Sequence, residues 1–269
     1  PHRAGRVGAQ GARFATYRAN PAFDGLADAL RQLLQLPQVQ AANKLILGGG
    51  SNLLFTQDFA GVVLKNEIRG LEISSEDGET QTALVRAGAG ESWHGLVEYA
   101  LDQGLSGIEN LSLIPGTVGA APLQNIGAYG AELRDTFDHL EAVDLHTGEL
   151  RVFAAGECGF GYRESVFKNV LKGQFVVTAV VLRLHRQARP SGYAPNVRYG
   201  AIADTLAELG ITGEPTSRDV SRAVVHIRRS KLPDPAQVLF SKTPKFPRPS
   251  STTSKANTPT CLATPYPTA

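Results

Sequence analysis

The sequence predicts a globular chain of mixed helix and strand. Its 269 residues are 42% hydrophobic and 19% charged, the balance of a protein with a sizeable core. No run approaches the ~18 apolar residues a spanning helix needs. Apolar spacing also switches repeatedly between a helical period and short β-branched runs. At ~150 residues per domain the length fits one large domain or two ordinary ones.

Asp24 is placed to cap a helix whose Leu26, Leu30, Leu33 and Leu34 share one stripe. Leu45-Ile46-Leu47 reads as a short buried strand stopped by Gly48, Gly49 and Gly50, and Val62-Val63-Leu64 as another. Ala83-Leu84-Val85 leads into Gly88-Ala89-Gly90. Trp93, Leu96, Val97, Ala100 and Leu101 then follow helical spacing, with Gly104 as the stop. Residues 105–130 are glycine-rich and apolar without a clear period. Leu140 to Val152 predicts a hairpin around His146-Thr147-Gly148, and Phe175 to Leu184 the longest strand. A last helix spans 217–230, with Val220, Ala223, Val224 and Ile227 inward and Ser217 near its cap.

After Pro235 the character changes. Residues 238–269 hold six Pro, eleven Ser or Thr and no acidic residue. Such a composition buries too little surface to offset chain entropy, so a disordered tail is expected. Its four basic residues (Lys242, Lys245, Arg248, Lys255) also explain the net charge of +2. Without them 23 basic residues face 25 acidic ones, so the body lacks the basic footprint of a nucleic-acid binder. The opening Pro1–Arg6 has no apolar stretch behind it and does not read as a secretory signal. Cys158 and Cys261 are too few for a disulfide framework or a zinc site, which makes a reducing cytoplasm the expected compartment. His94, His139, His146 and His226 share no ligand spacing, so no metal is expected. Cys158 is expected to be buried rather than reactive.

Three segments carry chemistry. In Gly48-Gly49-Gly50-Ser51-Asn52 the glycines allow close backbone approach, so successive N–H groups can line one concavity suited to a pyrophosphate. An ordinary tight turn is the plain alternative, and both the Walker lysine and the Rossmann spacing are missing. In the run 107–130 crowded small residues require the backbone to lie against something, either packed helices or a planar ligand. In Gly161–Lys168, Arg163 offers a planar donor fork for a carboxylate or a developing enolate, although an Arg beside a Glu is otherwise a common solvated pair.

Together the strings GGGSNLL, IPGTVGAAPLQNIGAYG, FGYRESVFK and RRSKLPDP resemble, in that order, the UDP-N-acetylenolpyruvoylglucosamine reductase family over about residues 12–235. The resemblance implies an α+β FAD-binding fold of the vanillyl-alcohol-oxidase (PCMH) type. It implies subdomains at 1–65 and 66–216, the start of a substrate-binding domain at 217–237, and an aberrant tail at 238–269. By the same resemblance Gly48, Gly49, Gly50, Ser51 and Asn52 match the FAD pyrophosphate loop. Pro115, Gly116, Thr117, Gly119, Ala120, Asn125 and Gly127 match the second FAD-contacting segment. Tyr129, Tyr199 and Lys231 match positions near the nucleotide-sugar, and Arg163 matches the catalytic arginine. NADPH is the implied hydride donor, the nucleotide-sugar the implied partner, and a cytoplasmic monomer the implied state, with neither nucleic acid nor membrane involved. A different flavin oxidoreductase of this fold and a catalytically dead FAD-binding module are the rival readings.

The chain departs from the family after LPDP. A GSFFKNP motif, whose serine supplies the proton in the family, is expected there, but residues 236–244 read AQVLFSKTP. One coding of that stretch, GCG CAG GTT CTT TTT TCA AAA ACC CCG, gives A-G-S-F-F-K-N-P when its first two bases are dropped. A reading-frame shift is therefore the expectation. Loss of the proton donor and of a C-terminal Glu is expected to impair turnover. The usual NTF-type opening before Ala12-Arg13-Phe14 is also absent.

Overall fold

The computed structural model describes residues 13–16, 24–186 and 193–231; the expected tail at 238–269 lies outside the described residues. In chain order the strands and helices are β1 (Arg13–Thr16), α1 (Asp24–Gln35), α2 (Pro37–Gln40), β2 (Lys44–Leu47), β3 (Val62–Lys65), β4 (Leu71–Asp77), β5 (Thr82–Gly88), α3 (Trp93–Asp102), β6 (Leu105–Ser106), β7 (Gly127–Ala128), β8 (Ala131–Glu132), β9 (Phe137–Asp144), β10 (Leu150–Ala154), β11 (Phe175–Arg186), α4 (Gly200–Glu208) and α5 (Ser217–Lys231).

A small parallel sheet, ordered β1-β3-β2, opens the chain. Leu30 and Leu34 of α1 bury with Val39 and Leu64, and the same cluster reaches Val143 and Val176 of the larger sheet. Asn66, just after β3, donates to the Val177 carbonyl at 2.7 Å. These contacts fix β2, and hence the glycine loop behind it, against the rest of the molecule.

The larger sheet is antiparallel, ordered β10-β9-β11-β5-β4, with β6 pairing the end of β11. Strand β11 is central and buried along nearly its whole length, which accounts for its unbroken β-branched run. Arg86 on β5 reaches over it to Glu141 on β9 through two bonds of 2.7 and 2.6 Å. The expected hairpin is β9–β10: Asp144 Oδ1 accepts from the N–H groups of His146 and Thr147, and Gly148 takes φ 75°.

Helix α3 lies under this sheet with Trp93, Leu96, Val97, Ala100 and Leu101 buried. Ser92 accepts from the Gly95 N–H as its N-cap, and Gly104, at φ 68°, ends the helical segment. Trp93 Nε1 donates to the Leu111 carbonyl at 2.9 Å, tying α3 to the first of three 3-10 turns (109–111, 118–120, 122–124). Those turns replace regular structure between β6 and β7.

Helices α4 and α5 close one side. Ile202, Leu206, Val220, Ala223, Val224 and Ile227 form their own apolar cluster, which spans the boundary expected at 216/217. Buried hydroxyl pairs, Ser217 with Ser106 and Ser221 with Ser112, both at 2.8 Å, join α5 to the 105–112 segment. No described helix is long and apolar enough to cross a membrane.

Candidate active site

The two glycine-rich segments meet. A Cβ placed on Gly48 would lie 2.7 Å from Thr117 Oγ1, and one on Gly49 would lie 3.3 Å from the Gly116 Cα. Ser51 Oγ in turn would sit 3.4 Å from a Cβ on Gly116, itself at φ 113°. Glycine at 48 and 49 therefore allows the second segment to approach. Gly50 differs: its φ of 72° is the left-handed region, and a Cβ there would clash with nothing, the nearest atom being Leu47 Cδ1 at 3.9 Å. Gly49 to Asn52 are exposed, and among the described residues no group accepts from their backbone N–H groups. Uncommitted amides on a glycine loop suit an anion, and a side chain at 48 or 49 would crowd the second segment.

The second segment is anchored in the core. Val118 donates to the Glu91 carbonyl and Gly119 to the Ala89 carbonyl, at 2.9 and 2.8 Å. Gly119 is buried, and a Cβ there would meet the Ala89 Cβ at 2.5 Å. Asn125 is fully buried at φ 42°. Its Nδ2 donates to Glu132 Oε2 and to the Gly161 carbonyl, both at 3.0 Å, and its Oδ1 accepts from the Arg134 N–H. The Asn125 side chain thus holds neighbouring segments together. Pro115 is exposed, while Thr117 and Ala120 are half-buried at the contact with Gly48.

Arg163 sits on a tight turn closed by reciprocal Gly161 and Glu164 backbone bonds of 3.0 and 3.3 Å. Its Nη2 donates to the Gly127 carbonyl at 2.6 Å, and Ser165 Oγ donates to the Leu123 carbonyl at 2.7 Å. The guanidinium is placed by this framework rather than by Glu164. Tyr129 and Tyr199 meet edge to face at 5.3 Å. Arg228 bonds the Tyr129 hydroxyl, and burial pushes that phenol above its ordinary value while Arg228 opposes the rise. Lys231, the last residue of α5, is exposed, and among the described residues no hydrogen bond or ion pair ties its side chain to these residues.

Five non-glycine residues among those described have positive φ, and four of them lie here: Leu113, Asn125, Tyr129 and Arg163. The fifth, Gln81, is in the β4–β5 turn. Such strain persists only where surrounding structure fixes it, and it gathers at functional sites. The motifs singled out Arg163, Tyr129 and the glycines. They missed Glu109, Asn110, Tyr193 and Arg228; the available signal was a pair of polar residues, Glu109-Asn110, inside an apolar run. Cys158 is fully buried, and burial beside Glu157 pushes its thiol up to about 12, so it is an inert core group as expected.

The paired glycine segments and the sheet behind them define a class: a family model described as an FAD binding domain matches residues 26–154. The UDP-N-acetylenolpyruvoylglucosamine reductase of Burkholderia mallei (strain NCTC 10229) is 47% identical over 236 residues, covering 86% of this chain and 66% of that protein. That of Azoarcus sp. (strain BH72) is 51% identical over 211 residues, covering 78% and 59%. The fold is shared with the crystal structure of the Thermus caldophilus enzyme of the same name, at TM-score 0.52 and 23% identity, over 82% of this chain and 62% of that one. The chain belongs to the UDP-N-acetylenolpyruvoylglucosamine reductase family. It spans just under two thirds of the length of the curated relatives it matches.

Proposed function

We propose that this chain binds FAD between the loop Gly48–Asn52 and the segment Pro115–Gly127, and that the complex, as a monomer, reduces the enolpyruvyl group of a UDP-N-acetylglucosamine derivative to UDP-N-acetylmuramate with NADPH. The reading is carried by one observation: the glycine loop, the second segment and the strained Arg163 turn converge in a chain 47% identical to a reductase of that name. Bound FAD supplies the hydride relay from NADPH to the enolpyruvyl methylene carbon. The loop amides neutralise the diphosphate. Arg163, with one N–H committed to Gly127, offers the rest of its fork to the substrate carboxylate and stabilises the enolate charge that develops beside it. Tyr129, Tyr199 and Lys231 bind the nucleotide-sugar. Residues 1–65 and 66–216 form the two halves of the flavin cradle, and 217–237 begins the substrate domain.

Residues 236–244 carry no counterpart of the proton-donating serine, so turnover falls by about 10²–10⁴-fold relative to a family member. The test is anaerobic: the FAD-loaded chain is bleached by NADPH, then offered the enolpyruvyl substrate. Slow recovery of flavin colour is expected. Recovery at an ordinary family rate overturns the missing acid, and a folded chain that takes up no FAD overturns the whole reading. Sequencing the gene around codons 235–240 decides the frame shift.

A further inference from the structure

Glu109 and Asn110 form a buried polar pair outside the flavin loop and the Arg163 turn. We propose that these are positioning residues for the nucleotide-sugar: they latch the segment Tyr193–Tyr199 onto the Tyr129 turn and so fix the two tyrosine rings as one recognition edge. The inference rests on the assignment of Tyr129 and Tyr199 to the substrate.

Both residues are almost wholly buried, at 1% and 2% exposure. A buried carboxylate and amide are unfavourable unless every bond is made, and an apolar residue would fill the space without that demand. Their bonds go to the site-bearing segments. Glu109 Oε2 accepts from the Gly107 N–H at 2.6 Å, and Oε1 accepts from the Tyr193 hydroxyl at 2.5 Å. Asn110 Nδ2 donates to two carbonyls, that of Tyr129 at 3.1 Å and that of Asn196 at 2.8 Å. Asn196 donates back to the Gly130 carbonyl at 3.1 Å. One amide thus clamps two segments distant in sequence, one of which holds Tyr129 at φ 50°.

The far end of the latch is fixed as well. His185 of β11 stacks on the Tyr193 ring, with centroids 4.8 Å apart and planes 19° apart. Burial, with the Glu109 carboxylate beside it, pushes the Tyr193 phenol well up, so it stays a donor at any working pH. From this anchor the chain runs six residues to Tyr199, the N-cap of α4, whose ring meets Tyr129. The α4–α5 cluster packs on Tyr129, Val197 and Tyr199, and the latch adds directional bonds to that contact.

The experiment titrates the FAD-loaded full chain with the enolpyruvyl nucleotide-sugar and reads the flavin absorbance change. Tyr193→Phe keeps the ring and its stacking and removes the hydroxyl that donates to Glu109 Oε1, with folding checked by FAD loading. It is expected to raise the substrate dissociation constant about tenfold, the loss of one ordering hydrogen bond, with FAD content and NADPH bleaching unchanged. Asn110→Ala is expected to do at least as much. Glu109→Gln, which keeps an acceptor for the phenol, loses less than Glu109→Ala. Unchanged substrate affinity in Tyr193→Phe, or loss of FAD in step with substrate, overturns the latch. A wild-type chain that loads FAD but gives no substrate response overturns the functional reading instead. Hydrogen exchange then decides the latch, because amides at 193–199 that exchange no faster in Tyr193→Phe refute it.

Discussion

The loop Gly48–Asn52 and the run Pro115–Gly130 are both built of small residues and touch each other, yet they are held in opposite ways. The loop is exposed and, among the described residues, its amides from Gly49 to Asn52 find no acceptor. The run is threaded through the core, with Val118, Gly119 and Asn125 bonded to Glu91, Ala89, Glu132 and Gly161. The difference separates two uses of glycine. In the loop it frees backbone for a ligand, while in the run it lets backbone pack on backbone. Substitutions in the run should therefore reduce stability, and those in the loop should reduce FAD affinity.

The largest effect is expected at Gly119. An added methyl would stand 2.5 Å from the Ala89 Cβ and 3.1 Å from the Ala89 Cα and carbonyl oxygen, and that backbone has no room to yield. Gly119→Ala should lower unfolding stability by about 2–3 kcal/mol, the upper part of the range for overpacking, read from the urea midpoint. FAD affinity of the folded fraction should fall less than it does on substitution in the loop. Loss of FAD without loss of stability would put Gly119 on the ligand side and break the comparison.

Asn125→Ala comes next. It strands the Arg134 N–H, removes one of the two bonds to the Gly161 carbonyl and leaves a non-glycine residue at positive φ, for about 2 kcal/mol. Because the Gly161 turn carries Arg163, substrate affinity should fall as well, while NADPH still bleaches the flavin.

The periodic parts of this architecture were readable from residues alone. Trp93, Leu96, Val97, Ala100 and Leu101 are buried as their spacing demands, and the β-branched run from Phe175 became the central strand. Strand β4 was not readable: its LEISSED lies at the sheet edge with most side chains exposed, so burial imposes no pattern. The 3-10 turns of 109–124 have no period to detect. At the site, the glycine segments and Arg163 announce themselves by type and spacing. The partners of Glu109 and Asn110 lie 84 and 86 residues away, a pairing only the fold reveals.

Gly50→Ala sharpens the comparison from the other side. Its φ of 72° disfavours a side chain by about 1–2 kcal/mol, but the nearest atom to a Cβ there is 3.9 Å away, so no clash adds to the strain. The loop relieves that strain by shifting, which disorders its amides. FAD affinity should fall more than stability, measured by fluorescence titration beside a urea curve.

The smallest effect is expected away from both segments, at the start of α5, and it calibrates the others. Thr216 and Asp219 form a reciprocal cap: Asp219 Oδ2 accepts from the Thr216 N–H and hydroxyl at 3.0 and 2.6 Å, and Thr216 Oγ1 accepts from the Asp219 N–H at 3.2 Å. The Thr216 hydroxyl bond, foremost, holds the Asp219 carboxyl below its ordinary value. A folded-state value below the unfolded one contributes stability above about pH 4, and that contribution is lost as pH falls through the folded value. Asp219→Asn should therefore cost about 0.5–1 kcal/mol at pH 7 and converge with the wild type in acid. FAD affinity should be unchanged throughout. If this substitution lowered FAD affinity as Gly50→Ala does, reduced affinity would reflect general loosening, and the division between a ligand-facing loop and a load-carrying run would fail.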